Sequence, residues 1–224
     1  MFFFPPVDTE RYSYSSHDTR YAEGIGVDLN RPVVGTIGNI NPAKDYETFI
    51  VAAREIIDAL PGCQFVIKGN VLDSQQELFK RLKCLVSDLG MNVGEDIFFV
   101  QDDEDSTKVL SLMDIYVQSS IGEGISTALL EAMAMARPVV ATNVGATSEA
   151  VDAGETGLLV DAGDPLALAD SVTRLHMDVD LKIYISGNAR EFVMKYASVD
   201  SCVKAHCDAI RMVISQKRLG YKHG

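Results

Sequence analysis

The sequence predicts an α/β domain built on a doubly wound parallel sheet. Two observations carry that expectation: short β-rich runs alternate with helical stretches along most of the chain, and the informative loops all follow strands, on one edge of the sheet. In chain order, residues 1–30 are polar, turn-rich and weakly periodic, ending in Gly24-Ile25-Gly26-Val27-Asp28. Strands are expected at 32–37, 64–68, 96–100, 115–118, 138–142 and 157–160. Helices are expected at 45–59, 74–89, 106–112, 127–136, 146–152, 165–176 and 181–196, with a last one over 199–216. Asp164 followed by Pro165 is a good helix start, a cap and then a first helical position where a missing N–H does no harm. No internal repeat or low-complexity tract interrupts the pattern.

At 224 residues the chain supports one large domain, or a domain with an appendage. A net charge of -12 argues against a nucleic-acid partner, because phosphate backbones need a basic face, but it leaves room for a local anion site. Cys63, Cys84, Cys202 and Cys207 form no C-x-x-C pair and no zinc spacing, and His206 beside two of them reads as helix packing. Reduced, buried or neutral thiols in a cytoplasmic protein are expected. The opening residues lack the basic start and long apolar core of a signal peptide, and no apolar run approaches a membrane span.

The segment from Gly122 to Gly145 is the most informative for function. Residues 127–136 are good helix formers and nearly all apolar, so that helix must be buried on most of its circumference. Glu131 is the one acid within it, and a lone carboxylate there costs several kcal/mol, on the order of the penalty for burying any unpaired polar group, unless something pairs with it. It lies one turn after Thr127, and helical side chains lean toward the N-terminus, so it should point at the opening formed by Glu123-Gly124-Ile125-Ser126. A capping box does not account for it: the residues three past Ser126 and Thr127 are Leu129 and Leu130. A polar ligand at that opening, or a neighbouring backbone group or Arg, would.

Glu123 through Ala134, with its two acids eight positions apart, followed by Arg137-Pro138-Val139-Val140-Ala141-Thr142, resembles the signature of retaining GT-B glycosyltransferases of family 4, whose paired acids form an E-x7-E motif. Further matches are 38–44, Val66-Ile67 with Gly69, Asp-Ala-Gly-Glu-Thr-Gly-Leu-Leu-Val at 152–160, and Gly163-Asp164-Pro165, in order and at family spacing over roughly residues 30–196. The resemblance implies a Rossmann-like fold, the C-terminal half of GT-B. Residues 1–30 would be an interdomain linker, 31–196 the nucleotide-sugar (donor) binding domain, and 197–224 a C-terminal helix and tail. The N-terminal acceptor-binding domain would be missing from this chain.

In such a fold ligands bind beyond the carboxyl ends of the strands, where the loops 38–44, Gly69-Asn70, 101–105 and 119–126 converge. The resemblance implies that Glu131 holds the ribose hydroxyls, which are paired donors suited to two carboxylate oxygens. Glu123 would contact the donor sugar, and the N–H groups of Ile125, Ser126 and Thr127 would cradle a phosphate. The main electrostatic task is stabilising the departing diphosphate, which enzymes of this kind generally do without a metal, the nucleotide-diphosphate sugar being substrate rather than cofactor. Lys44 and Glu123 would act in catalysis, with Gly38 and Asn39 in the first loop and the main chain at Gln101 facing the base.

The chain departs from the family in two places. Asn39 stands where relatives usually have Arg, and an amide cannot clamp a phosphate bidentately. Lys68 is a candidate substitute, against the simpler reading of a sheet-end lysine. Gln101 stands where relatives commonly have Gly; Tyr116 and Phe98-Phe99 read as core. The expected activity is transfer of a sugar from a nucleotide-diphosphate donor to a hydroxyl acceptor with retention. A non-catalytic binding module, or a GT-B-fold sugar-nucleotide epimerase using the same crevice, are the alternatives.

Overall fold

The computed structural model describes residues 3–220, with side chains to residue 215. The first two residues of the opening segment and the tail expected at 221–224 lie outside the described residues. Six strands, β1 (Val33–Ile37), β2 (Gln64–Lys68), β3 (Ile97–Val100), β4 (Ile115–Gln118), β5 (Val139–Thr142) and β6 (Leu158–Val160), form one sheet in the order β3-β2-β1-β4-β5-β6. Every pairing is parallel, from Val33 opposite Gln64 to Thr142 opposite Val160. Parallel strands are covered on both faces, which is why Phe65, Val66 and Ile67 are successively buried instead of alternating with polar residues.

The helices are α1 (Thr19–Ile25), α2 (Tyr46–Ala59), α3 (Gln76–Asp88), α4 (Ser106–Leu112), α5 (Thr127–Ala134), α6 (Thr147–Ala150), α7 (Pro165–Met177), α8 (Val179–Tyr196) and α9 (Val199–Gly220). On one face α2 packs on α7 and α3, closing a core that includes Phe49, Ile50, Leu82, Leu168 and Val172. On the other, α5 packs on α8 and α1 on α4, around Leu110, Leu129, Leu130, Met133 and Val193. Each buried Leu of this kind contributes about 1.5–3 kcal/mol. None of the described helices is long and apolar enough to cross a membrane.

The opening segment is more structured than a turn-rich run. Val7 is buried and bonds to the α8–α9 junction, its N–H donating to Ala197 O at 2.7 Å and its carbonyl accepting from Val199 N at 3.2 Å. Asp18 caps α1 by accepting from Tyr21 N, Gly26 ends it in the left-handed region at φ 84°, and Tyr21 and Ala22 are buried. α5 stops two residues short of the expected 136: its exit into β5 requires a left-handed residue, and Ala136 takes that role at φ 53°. All four cysteines are free thiols, Cys63 and Cys202 buried and Cys84 and Cys207 exposed.

Candidate functional site

β1 and β4 are neighbours in the sheet, and the strand order reverses between them, so the loops leaving their carboxyl ends part to opposite sides and leave a crevice. The loop after β1 runs through a short 3-10 turn, Pro42–Lys44, capped by the Asn41 side chain accepting from Ala43 N at 3.0 Å. Two bonds sew it to the loop after β4: Ile121 N donates to Ala43 O at 2.9 Å and Ser119 Oγ to Lys44 O at 2.8 Å. Across that seam the Lys44 ammonium is ion-paired with Glu123, both side chains 19% exposed, and Ser120 Oγ donates to the same carboxylate oxygen at 3.3 Å. Two residues expected to act together are thus in contact.

Glycines let these loops approach. The Gly38 carbonyl oxygen accepts from the Tyr46 hydroxyl at 2.6 Å, and a Cβ on Gly38 would lie 2.8 Å from Lys44 Cε. A Cβ on Gly69 would overlap the Gly38 carbonyl oxygen, and one on Gly145, at φ +55°, would overlap that of Glu123. Gly145 therefore braces the Glu123 loop from the β5 side, a role the sequence did not single out.

Helix α5 opens onto the crevice. Ser126 is its N-cap, its hydroxyl accepting from Leu129 N at 3.4 Å, so half of a capping box is present although no acid completes it. Among the described residues, no hydrogen bond uses the N–H groups of Ile125, Ser126 or Thr127. They remain as unsatisfied donors at the positive end of the helix. Tyr116, fully buried as expected, sets its hydroxyl against Ser126 and the Ile37 backbone, linking β4, β1 and the cap.

Glu131 is half-buried and meets residues that sequence reasoning did not place there. Burial pushes its carboxyl above the usual carboxylate range, against the pull of the Tyr12 and Ser106 hydroxyls and of Arg11. Tyr12 and Ser106 are themselves 2.7 Å apart, and Arg11 pairs with Asp105, the cap of α4, at 2.8 Å. Of the alternative left open for Glu131, a neighbouring backbone group or Arg, the structure supplies a nearby guanidinium that, among the described residues, forms no ion pair with it; two hydroxyls that the sequence did not point to stand beside it, and burial still destabilises the carboxylate.

Three expectations are refined. Asn39 is exposed and its Oδ1 accepts from Asn70 N at 3.2 Å, so its amide stitches the β1 and β2 loops together sideways. Lys68 is buried, ion-paired with Asp102, and sits 5.9 Å from the Tyr21 ring centroid. Tyr21 donates to the same Asp102 at 2.9 Å, which fixes the start of the β3–α4 loop. Gln101 is exposed on that loop, next to Asp102. Phe98 is buried, and the half-buried Phe99 makes a T-shaped contact with Phe79 at 5.2 Å between ring centroids.

The sheet order and the crevice define the class, the C-terminal Rossmann-like domain of a GT-B glycosyltransferase fold. The chain belongs to the glycosyl transferases group 1 family, which matches residues 31–178. It is 30% identical over 206 residues to the D-inositol 3-phosphate glycosyltransferase of Corynebacterium jeikeium, across 90% of this chain and 49% of that protein. It is 31% identical over 186 residues to the alpha-D-kanosaminyltransferase of Streptomyces kanamyceticus, across 83% of this chain and 45% of that one. Among solved structures, the C-terminal domain of the group 1 glycosyl transferase LpcC from Francisella tularensis is similar at TM-score 0.75 and 26% identity, over 86% of this chain and 99% of that one. HepE of Anabaena, solved in complex with UDP, shares the fold at TM-score 0.85 and 22% identity, over 94% of this chain and 57% of that one. The chain spans about half the length of the curated relatives it matches.

Proposed function

We propose that this domain binds the nucleotide-diphosphate sugar donor of a family 4 retaining glycosyltransferase, which passes the sugar to a hydroxyl acceptor held by a further domain. The observation that carries the proposal is the Lys44–Glu123 pair, which sets one cation and one acid at the strand-order reversal beside the open amides of α5. As the bond between sugar and phosphate breaks, the diphosphate gains negative charge. Lys44 and the α5 N-terminus then hold it more tightly in the transition state than in the ground state, which is what accelerates transfer.

Each neighbouring group has a matching task. Glu131, left destabilised by burial, gains two hydroxyl donors when a ribose arrives. Glu123 accepts from hydroxyls of the donor sugar once the diphosphate draws Lys44 toward itself. The Gly38-Asn39 turn approaches the phosphates through its main chain, and the main chain at Gln101 meets the base. The cytoplasmic setting expected from the cysteine pattern belongs to the same proposal, as does transfer without a cofactor, the donor being substrate.

Calorimetric titration with UDP, GDP and ADP tests the donor site; at least one should bind. One observation favours a second reading, a non-catalytic binding module: the Asn39 amide is engaged with Asn70 and leaves the cradle one cation short. Sugar transfer or donor hydrolysis by the protein carrying both domains would exclude that module.

A further inference from the structure

A second cavity opens on the other edge of the sheet. It is 540 Å³ in volume and is lined by Asp114 and Pro138, which precede β4 and β5, by His176 at the end of α7 and by the first turns of α8. It therefore lies at the amino ends of the strands, away from the donor crevice.

Its most unusual wall is Arg137. This guanidinium is 7% exposed, yet among the described residues no carboxylate forms an ion pair with it. Its two hydrogen bonds go to neutral carbonyls, Nη1 to Met113 O at 3.0 Å and Nη2 to Ser15 O at 3.3 Å, and the buried Nε has no partner. Five N–H donors for two bonds leave most of the group's capacity unused. Burial pulls the guanidinium's pKa down, the sign of a charge without adequate compensation. A buried charge is tolerated when it is paired; here the Tyr14 ring, its centroid 5.8 Å from the guanidinium carbon, and the more distant Asp114 compensate the charge only in part.

The rest of the lining is rich in nitrogen donors. Lys182, His176 and His17 add three more nitrogen-bearing side chains, against Asp114 as the acid. Asp114 is partly occupied, since its Oδ2 accepts from Val33 N at 2.9 Å and its Oδ1 lies 3.9 Å from Lys182 Nζ. In a chain of net charge -12, this is a local concentration of donors. Val179, Ile183 and Pro138 supply apolar wall beside them.

We propose that this cavity is a second binding site, separate from the donor crevice, for a phosphomonoester carrying an apolar group. A tetrahedral dianion offers acceptor oxygens in several directions, which suits donors arriving from Arg137, Lys182 and the two histidines better than a planar carboxylate does. The apolar wall takes the ester arm.

The test is amide NMR of the 224-residue chain titrated with phenyl phosphate, with Lys182→Gln and His176→Gln as variants, both changes falling on helix surfaces. Saturable shifts are expected at Ala136, Lys182 and Gly187, with a Kd of about 1 mM or tighter, unaffected by saturating UDP. Each variant should weaken binding by about fivefold while leaving the melting temperature unchanged. Sedimentation with phosphatidic acid vesicles separates two sources of the same chemistry. A lipid headgroup carries the chain down with the vesicles, whereas a soluble ester leaves it in the supernatant while phenyl phosphate still binds. No saturable shift at these amides, shifts confined to the donor crevice and reversed by UDP, or undiminished binding in both variants would overturn the proposal and leave Arg137 as a tie between residue 15 and the sheet.

Discussion

Lys44 and Glu123, 79 positions apart in sequence, are ion-paired across the reversal of strand order between β1 and β4. The pair holds the ammonium inside the crevice, and under the proposed function a diphosphate would compete for it. Lys44→Ala should therefore weaken nucleoside diphosphate binding by about 1.5–3 kcal/mol, the scale of a lost charged hydrogen bond, as read by calorimetry. Asn39→Arg should tighten binding by restoring a cation. It should also lower stability by about 0.5–1.5 kcal/mol, because arginine cannot accept the hydrogen bond from Asn70 N.

Glu131 should trade stability for binding. Its folded-state pKa is raised by burial, so the native state holds its proton more tightly than the unfolded chain does. Stability is then lost as pH rises from the unfolded carboxylate value through the folded one, and the deficit is fully present at neutral pH. Glu131→Gln should raise stability at pH 7 in denaturant unfolding, by an amount that solvent screening of the half-exposed carboxylate keeps small, and the gain should fade below the unfolded carboxylate value, where the carboxyl is protonated in both folded and unfolded chains. A gain of the same size at both pH values would show that the carboxylate charge is not its source.

Ala136 carries a Cβ in the left-handed region at φ 53°. Ala136→Gly should remove that strain and stabilise the chain by about 1 kcal/mol, visible as a shift of the denaturant midpoint with an unchanged slope. Destabilisation would mean that glycine's extra freedom in the unfolded chain outweighs the relief.

Gly145 stands in the opposite case. Alanine there would both occupy φ +55° and overlap the Glu123 carbonyl oxygen, so Gly145→Ala should cost more than about 2 kcal/mol and loosen the Glu123 loop. Thermal unfolding measures the first effect, and a reduced affinity for a nucleotide sugar the second.

The sheet was legible because parallel strands are buried on both faces and read as continuous apolar runs; 64–68 and 115–118 match β2 and β4 residue for residue. α1 was not. It has seven residues including Gly24, and its anchors lie far along the chain, Tyr21 on Asp102 and Asp18 on Ser111. The two acids and Lys44 were legible through the E-x7-E segment and the loop register. What surrounds Glu131 was not, because Tyr12 meets Ser106 across 94 positions and no local pattern encodes that contact. Lys68 shows the limit of edge arguments: the carboxyl end of β2 was identified correctly, but no local pattern encodes the pairing of its ammonium with Asp102 in the β3–α4 loop.

The central claim is that the paired acids divide the donor between them, Glu131 on the ribose and Glu123 on the sugar. Calorimetric titration of the chain and of its Glu131→Gln and Glu123→Gln variants with UDP, GDP and ADP tests it most directly. At least one nucleotide should bind, Glu131→Gln should weaken it by about 1–3 kcal/mol, and Glu123→Gln should leave it nearly unchanged. No heat with any of the three nucleotides, or equal losses in the two variants, would contradict the assignment.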